Sequence, residues 1–131
     1  MEENCVFCSS RAEGGRTIFE TEHFLLIYDN FPVSKGHALI VSKRHVLSMF
    51  ELNSWEWCNL SAMVLSAKAY LDKIFHPDGY NVGINCGEAA GQTVFHLHIH
   101  VIPRYKGDVT DPRGGIRNLK KSLVPYLVRE S

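Results

Sequence analysis

The chain opens with short stretches of apolar and polar alternation, shows helical periodicity at its centre, and returns to alternation near its end. Residues 16–28 are rich in β-branched and aromatic side chains with a polar break at 21–22, which predicts two short strands joined by a turn. The apolar segment 37–41 follows a loop-like stretch of Asp, Asn, Pro, Ser and Gly and predicts a buried strand. The alternating segment 80–85 predicts another strand.

One long helix is predicted at the centre of the chain. Asn53 can cap its first turn, and Glu56 lies three residues later, as in a capping box. Apolar side chains recur at helical spacing over residues 54–75, and Pro77 and Gly79 must end the helix. Strands before and after a single helix predict an α+β domain, with a mostly antiparallel sheet packed against that helix.

Length and charge narrow the class of protein. A chain of 131 residues and 14.8 kDa suits one domain, 1–131, with its own core. Fourteen basic and fourteen acidic side chains give a net charge of +0, so the total charge does not indicate a nucleic-acid partner. The sequence has no apolar run of membrane-spanning length, and its start lacks the pattern of a signal peptide. We therefore expect a cytoplasmic protein without a membrane partner.

The C-terminal tail, residues 104–131, is punctuated by Gly and Pro and is predicted to be irregular. Its first part is basic, since residues 104–121 carry six basic side chains, among them Arg104, Lys106 and Arg113, against two acidic ones. These basic groups either help to hold phosphates or form an ordinary solvated surface.

Histidine alternates with apolar residues in segment 95–103, which predicts the last strand. Because successive side chains of a strand point to opposite faces, His96, His98 and His100 share one face. The apolar residues that alternate with them share the other face, which can pack on the helix. Alternating imidazoles lie roughly 6.6–6.8 Å apart, so two or three can converge on one metal ion or substrate. A solvated strand face normally mixes Thr, Lys and Glu instead, so the pattern favours a site.

Two kinds of chemistry fit these imidazoles. A centre of three histidines can activate water at a catalytic zinc ion, whereas a neutral imidazole can attack an electrophile as a nucleophile. The preceding residues Gly91, Gln92 and Thr93 place a small residue, an amide and a hydroxyl where a turn enters the strand. Because these groups can donate hydrogen bonds to phosphate oxygens, they favour phosphorus chemistry over metal hydrolysis of a carbonyl.

Segment 96–102, HLHIHVI, resembles the signature of the histidine triad (HIT) superfamily. Segments 90–104, AGQTVFHLHIHVIPR, and 29–45, DNFPVSKGHALIVSKRH, are similar to that family in order and spacing, as is Asn85 at the end of a predicted strand. The resemblance covers about residues 5–104. It implies a HIT-like fold and a bacterial-type HIT hydrolase, similar to dinucleoside polyphosphate hydrolases and purine nucleoside phosphoramidases.

By this resemblance the middle histidine of the triad, His98, is the nucleophile that attacks the α-phosphorus of a nucleotide. A covalent nucleotidyl-histidine would form, and water would then release the nucleoside monophosphate. An acceptor such as a backbone carbonyl must hold the proton on the other ring nitrogen. His100, Gln92 and Thr93 would contact phosphate oxygens and the leaving group, where charge develops. His100 and Gln92 complete the implied catalytic set.

The resemblance also implies residues that bind the substrate beside Gln92, Thr93 and His100. Asp29 would accept hydrogen bonds from ribose hydroxyls, and Asn85 would lie near the ribose and phosphate. Turn chemistry is the alternative for both, since Asp and Asn favour strand ends. His37 matches a family histidine near the site.

A Cys-x-x-Cys pair, Cys5 and Cys8, lies near the start of the chain. In the cytoplasm such a pair suggests metal binding or redox chemistry rather than a structural disulfide. The resemblance implies that His45 and His96 complete a closed set of two cysteines and two histidines, which is typical of structural zinc. Zinc would then anchor segment 1–15, which has little apolar content.

The resemblance implies a homodimeric hydrolase or nucleotidyl transferase that acts on a purine nucleotide. The expected substrate is a dinucleoside polyphosphate such as diadenosine tetraphosphate. The reason is that Pro103 and Arg104, rather than a Gly-Gly pair, follow the histidine triad. The alternatives are an adenosine phosphoramidase, which cleaves a P–N bond, and a nucleotide-binding scaffold without turnover. The intact His98 argues against the scaffold, since a pure binder needs no nucleophile.

Overall fold

The computed structural model describes residues 5–8 and 16–119. Within these ranges lie five β-strands and one long α-helix, with short 3-10 turns at Met49–Glu51 and Glu88–Ala90. In chain order the main elements are β1 (Thr17–Glu20), β2 (Phe24–Tyr28), β3 (Ala38–Ser42), α1 (Ser54–Phe75), β4 (Gly79–Gly83) and β5 (His98–Arg104). The predicted α+β class is confirmed.

The strands of the described ranges form one sheet in the order β1-β2-β3-β5-β4. Every neighbouring pair is antiparallel, as predicted. Because β5 has a strand on each side, hydrogen bonds hold the backbone of the histidine strand from both edges. A strand in this position can hold functional side chains more precisely than a loop can.

Helix α1 spans residues 54–75, as predicted. At its start the Glu56 N–H donates to Asn53 Oδ1 and the Asn53 N–H donates to Glu56 Oε1, each at 2.9 Å, which is a reciprocal capping box. At its end His76 adopts the left-handed conformation with a φ of 53°, and Pro77 follows. Among the described residues, no helix is both long enough and apolar enough to cross a membrane.

Different groups cover the two faces of the sheet. On one face the apolar residues of the histidine segment pack with helix side chains in the larger core, which includes Leu97, Ile99, Val101, Met63, Ala67 and Leu71. On the opposite face a second cluster contains Phe7, Leu25, Ile27, Leu39 and Val41. The predicted orientation of the histidine strand is confirmed, because alternation places His98 and His100 on this second face.

Strand β5 starts later than the predicted segment 95–103. The β3–β5 ladder ends with the pair Val41 and His98, and β3 itself ends one residue further on. Before His98 the bonding to β3 continues only through the Ser42 N–H, which donates to the Leu97 carbonyl at 3.4 Å. The Leu97 N–H donates to the Val46 carbonyl at 2.8 Å, which holds the first triad histidine against the segment after β3.

The ends of the chain are described only in part. Of segment 1–15, the structure describes residues 5–8. Residues 105–119 form turns and bends, in line with the predicted irregular tail, and residues 120–131 lie outside the described ranges. The organisation as a single domain stays a prediction.

Candidate active site and metal cluster

A pocket of about 490 Å³ opens on the sheet face opposite α1. The structure brings six of the predicted site residues together around it, namely Asp29, His37, Asn85, Thr93, His98 and His100. They come from the loop after β2, the start of β3, the long loop between β4 and β5, and β5 itself. A concave pocket of this size suits a small organic ligand.

His98 is 9% exposed, and the backbone fixes one edge of its ring. Its Nδ1 lies 2.8 Å from the carbonyl oxygen of His96, and because a carbonyl can only accept, Nδ1 carries the proton. The lone pair of the neutral ring is then on Nε2. An imidazole held in this form at a pocket can act as a nucleophile. The structure thus supplies the acceptor that the sequence did not locate.

His37 and His100 form a hydrogen-bonded pair at the pocket wall. The Val33 N–H donates to His37 Nδ1 at 3.1 Å, so the proton of neutral His37 lies on Nε2. That nitrogen lies 3.0 Å from His100 Nδ1 and donates to it, which leaves the proton of His100 on its own Nε2. Burial lowers the pKa of both imidazoles and keeps them neutral at neutral pH. At Nε2, His100 therefore carries a proton, whereas His98 carries a lone pair.

Asp29 adds a negative charge beside this pair. Its Oδ2 lies 3.3 Å from His37 Nε2 and 3.9 Å from His100 Nδ1, while its Oδ1 accepts from the Phe31 N–H at 2.7 Å. One carboxylate oxygen thus closes a turn, and the other faces the histidines. The three side chains lie close enough to bind a metal ion, but His37 Nδ1 already accepts from Val33. Because a histidine that ligates through Nε2 normally donates from Nδ1, the group fits a hydrogen-bond chain better than a metal site.

The predicted metal ligands also converge, with the ligand atoms of Cys5, Cys8, His45 and His96 within 4.8 Å of one another. His96 Nδ1 lies 3.2 Å from Cys5 Sγ, 3.4 Å from Cys8 Sγ and 3.1 Å from His45 Nδ1. The opposite nitrogen, His96 Nε2, donates to the Ser42 carbonyl at 2.7 Å, so the lone pair faces the cluster. This donor set fits a tetrahedral metal ion. We call residues 5–8 the knuckle.

Gln92 is not among the residues that line the pocket, and its contact with phosphate stays a prediction. It is 4% exposed, and its Oε1 accepts from the Gly87 N–H at 2.8 Å. Its Nε2 donates to the carbonyls of Leu47 at 2.9 Å and Val94 at 3.2 Å. The bonds to Gly87 and Val94 lie within the loop before β5, and the bond to Leu47 holds this loop against the segment before α1. Gln92 therefore supports the loop that carries Thr93.

The sequence pattern did not indicate Phe7 as a pocket residue. Phe7 lies between the two knuckle cysteines, and its ring centroid is 4.9 Å from that of His98. The available signal is an aromatic residue inside a Cys-x-x-Cys pair, in a segment that is otherwise poor in large apolar side chains. Other lining residues outside the predicted set are Val6, Arg16, Asn30, Phe31, Val33, Leu39, Gly91 and Val94.

Two basic residues in the described part of the tail pair with acids of their own segment. Arg104 donates to the Asp108 carboxylate from Nε and Nη2, each at 2.8 Å. Arg113 Nε donates to Asp111 Oδ1 at 3.0 Å. These ion pairs favour the solvated-surface alternative for both arginines.

Comparison with known proteins agrees with this geometry. The family model described as the HIT domain matches residues 12–107. The chain belongs to the HIT family. This HIT protein is 41% identical over 111 residues to the protein named hit of Bacillus subtilis, covering 81% of this chain and 75% of that protein. It matches the crystal structure of a HIT family member from Bacillus subtilis with a TM-score of 0.72 at 37% identity, covering 79% of this chain and 74% of that one. The HIT-like fold is thereby confirmed.

Other relatives of this HIT protein have more specific descriptions. A Zn-bound histidine triad protein from Mycobacterium smegmatis matches with a TM-score of 0.73 at 35% identity, over 84% of this chain and 81% of that one. The asymmetrical bis(5'-nucleosyl)-tetraphosphatase of Schizosaccharomyces pombe is 32% identical over 98 residues, which are 75% of this chain and 54% of that protein. The AP-4-A phosphorylase of Mycobacterium tuberculosis is 32% identical over 122 residues, which are 91% of this chain and 60% of that protein.

Proposed function

We propose that this HIT protein cleaves a purine nucleotide at its α-phosphate, with His98 as the nucleophile. The placement of ring protons carries the proposal, since His98 has a lone pair on Nε2, His100 has a proton on Nε2, and both line one pocket. The two ring centroids are 5.3 Å apart. A nucleophile beside a hydrogen-bond donor suits attack on phosphorus, because negative charge grows on the phosphate and the leaving group.

In the first step the Nε2 lone pair of His98 forms a bond to the α-phosphorus, and the bond to the leaving group breaks with its electron pair. His98 then carries the nucleotidyl group on Nε2 and keeps its proton on Nδ1, where the His96 carbonyl accepts it. This hydrogen bond stabilises the positive ring that the attack produces. Water next attacks the same phosphorus and loses a proton to solvent, while the P–Nε2 bond breaks and its electron pair returns to Nε2, so that the nucleoside monophosphate is released.

The pocket also offers groups that bind the nucleotide. His100 and the hydroxyl of Thr93 line the pocket and can donate to phosphate oxygens, and Gln92 acts on them only through the loop it supports. Asp29 and Asn85 line the same pocket and suit the ribose hydroxyls.

We place the purine base against the apolar part of the pocket. Phe31 is 85% exposed and Val33 is 75% exposed, although both line the pocket together with the buried Leu39. Large apolar side chains left in water beside a cavity are typical of a ligand-binding surface. A flat purine ring can cover these side chains, and the burial of their exposed apolar surface favours binding.

The favoured substrate is a dinucleoside polyphosphate such as diadenosine tetraphosphate. The names of the fission yeast and mycobacterial relatives support this choice over an adenosine phosphoramidate. The same attack by His98 can break a P–N bond, so the choice of leaving group is a matter for measurement. A scaffold without turnover remains the alternative from a different class.

We further propose that the two knuckle cysteines bind structural zinc together with His45 and His96. All four ligands are protein side chains, as in a closed structural site, and a similar HIT structure is Zn-bound. Bound zinc would link the N-terminal segment to His45 in the loop after β3 and to His96, two residues before the proposed nucleophile.

We also propose a homodimer formed through the outer face of α1. Trp55, Cys58, Ala62, Leu65 and Ala69 are all exposed and follow one another at alternating spacings of three and four residues. Trp55 is 77% exposed and Leu65 is 70% exposed. An apolar stripe of this kind, which we call the outer stripe, suits packing against the same helix of a second copy.

The test compares the wild type with His98→Ala on adenosine phosphoramidate, diadenosine triphosphate and diadenosine tetraphosphate, with AMP release followed by chromatography. We expect turnover to fall on the order of 10³-fold or more in the variant. His23→Ala is the matched control, because His23 lies at a turn outside the pocket. Mass spectrometry after an alkaline quench should detect one nucleotidyl group on the wild type and none on His98→Ala. Equal AMP release by both would remove His98 from the reaction, and nucleotide binding without turnover would favour the scaffold.

A further inference from the structure

Phe7 connects the metal cluster to the nucleophile. Its ring centroid lies 4.9 Å from that of His98, with the ring planes inclined at 56°, and 6.0 Å from that of His96, with the planes at 85°. Phe7 is only 7% exposed, although it belongs to the short knuckle near the start of the chain. One aromatic ring therefore contacts both a metal ligand and the proposed nucleophile.

Three groups constrain the ring of His98. The His96 carbonyl holds Nδ1 at 2.8 Å, the His100 ring lies 5.3 Å away, and Phe7 packs against the ring. One hydrogen bond holds an edge of an imidazole but leaves the ring free to tilt about that edge. The ring of Phe7 packs against the His98 ring, opposes this tilt and keeps Nε2 in one direction. Orientation of the attacking atom is a large part of the rate in such reactions.

The knuckle holds Phe7 in place. Phe7 lies between Cys5, whose Sγ is 3.2 Å from His96 Nδ1, and Cys8, whose Sγ is 3.1 Å from His45 Nδ1. Thiols make only weak hydrogen bonds, whereas metal ligation would fix both ends of the segment that carries Phe7. Phe7 also packs in the apolar cluster on this face of the sheet, so it transmits any shift of the knuckle to the pocket.

We propose that Phe7 is a positioning residue for His98, and that metal occupancy of the knuckle determines how well it does so. Loss of the metal would shift the ring of Phe7 and so change the orientation of His98 in the pocket, without any contact between the metal and the substrate. The effect on rate rests on the proposed function, whereas the contact between the two rings does not.

The first experiment needs no substrate. In wild-type protein the ring current of Phe7 should displace the carbon-bound ring protons of His98 in the NMR spectrum, and His98→Ala would assign these resonances by their loss. Phe7→Ala and chelator-treated wild type should move them in the same direction, and Phe7→Tyr should keep them near the wild-type positions. Leu25→Ala removes an apolar side chain from the same cluster and should leave them in place. Elemental analysis gives the metal content of each sample.

The second experiment separates kcat from KM on the nucleotide that turns over fastest. Phe7→Ala should lower kcat by about tenfold to a hundredfold, the loss expected for a displaced reacting group, with a smaller change in KM. Phe7→Tyr should restore kcat, and Leu25→Ala should lower the melting temperature without changing kcat. Chelation should lower kcat in the wild type but add little in Phe7→Ala, because both changes act on the same contact.

Unchanged His98 resonances after metal removal would overturn the coupling, as would full additivity of chelation and Phe7→Ala in kcat. Protein that contains no metal when purified without chelators would overturn it as well. Failure of the proposed function gives a distinguishable result, because the wild type would then release no AMP. The NMR comparison would still show whether Phe7 positions the ring of His98. A melting curve shows whether Phe7→Ala is folded, and if it is not, chelated wild type and Phe7→Tyr decide the outcome.

Discussion

The backbone oxygen of His96 lies 2.8 Å from Nδ1 of His98, so one histidine of the triad orients the next. The same His96 donates from Nε2 to the Ser42 carbonyl and directs Nδ1 at the cysteines. His37 donates a hydrogen bond to Nδ1 of His100, so the proton of His100 lies on Nε2. Three similar side chains therefore have two proton placements, on Nε2 in His96 and His100 and on Nδ1 in His98, each set by a neighbouring acceptor or donor.

Removal of the proposed zinc ion should destabilise the protein. Because four ligands would join the N-terminal segment to the sheet, we expect a chelator, or Cys8→Ser, to lower the melting temperature by at least about 5 °C. Cys58→Ser is the matched control, since Cys58 is an exposed cysteine of α1. Calorimetry and elemental analysis measure both effects. Purified protein without zinc would contradict the structural-zinc proposal.

Replacement of His37 should slow the reaction without removing the nucleophile. His37→Ala removes the donor that holds His100 in its Nε2-protonated form, and a lost hydrogen bond of about 1 to 2 kcal/mol corresponds to a fall in kcat of roughly fivefold to thirtyfold. Ser34→Ala, in the same loop, removes a bond to the Pro103 carbonyl instead and should retain kcat. Steady-state kinetics measures both. An unchanged kcat in His37→Ala would show that His100 needs no partner.

Replacement of Gln92 should lower the stability of the protein more than it weakens substrate binding. Gln92→Ala removes three hydrogen bonds of a buried side chain, to Gly87, Leu47 and Val94, so we expect a loss of about 1 to 3 kcal/mol in the free energy of unfolding. Glu88→Ala, at an exposed position in the same loop, should have little effect. Urea denaturation provides the measurement. Unchanged stability with a raised KM would instead indicate direct contact with phosphate.

Glu56 should make the stability of the protein dependent on acid pH. The Arg44 guanidinium, which donates to Glu56 at 2.8 and 2.9 Å, holds the pKa of that carboxyl below its ordinary value of 4.5. As pH falls below 4.5 the unfolded chain takes up a proton that the folded chain does not, so stability decreases until the folded carboxyl is also protonated.

Glu56→Gln should remove this part of the pH dependence. At neutral pH it should cost about 1 to 2 kcal/mol, less than for a fully buried pair, because Arg44 is half exposed. Glu51→Gln, at an exposed position nearby, is the control. Denaturation curves at pH 7 and near pH 4 test the prediction, and equal pH slopes in Glu56→Gln and the wild type would refute it.

A charge in the outer stripe should separate the subunits of the proposed dimer. Leu65→Glu places a carboxylate at the centre of the apolar contact, where burial without a partner is unfavourable. Ser61→Glu adds the same charge on α1 outside the stripe and should remain dimeric. Light scattering coupled to size exclusion measures the mass of each. A wild type that is monomeric at all concentrations tested would exclude this interface.

Local patterns determined much of the fold. The capping box of Asn53 and Glu56 and the Pro77 stop involve residues within a few positions of the helix ends, so the sequence predicted the bounds of α1. The two-residue period of the histidine strand likewise predicted which side chains face the core. The proposed metal ligands and six of the pocket residues came from the resemblance to the HIT family, and the structure brings each set together.

Other features depend on contacts between segments that are distant in the chain. The role of Gln92 depends on a carbonyl 45 positions away, and the proton placement of His100 depends on a ring 63 positions away. Phe7 reaches His98 only because the knuckle folds onto the sheet. By itself the sequence determined which chemical groups are present and their local periodicity. Only the tertiary structure decided which ring nitrogen carries a proton, because the acceptors and donors that decide it are mostly backbone atoms whose positions no side-chain pattern records.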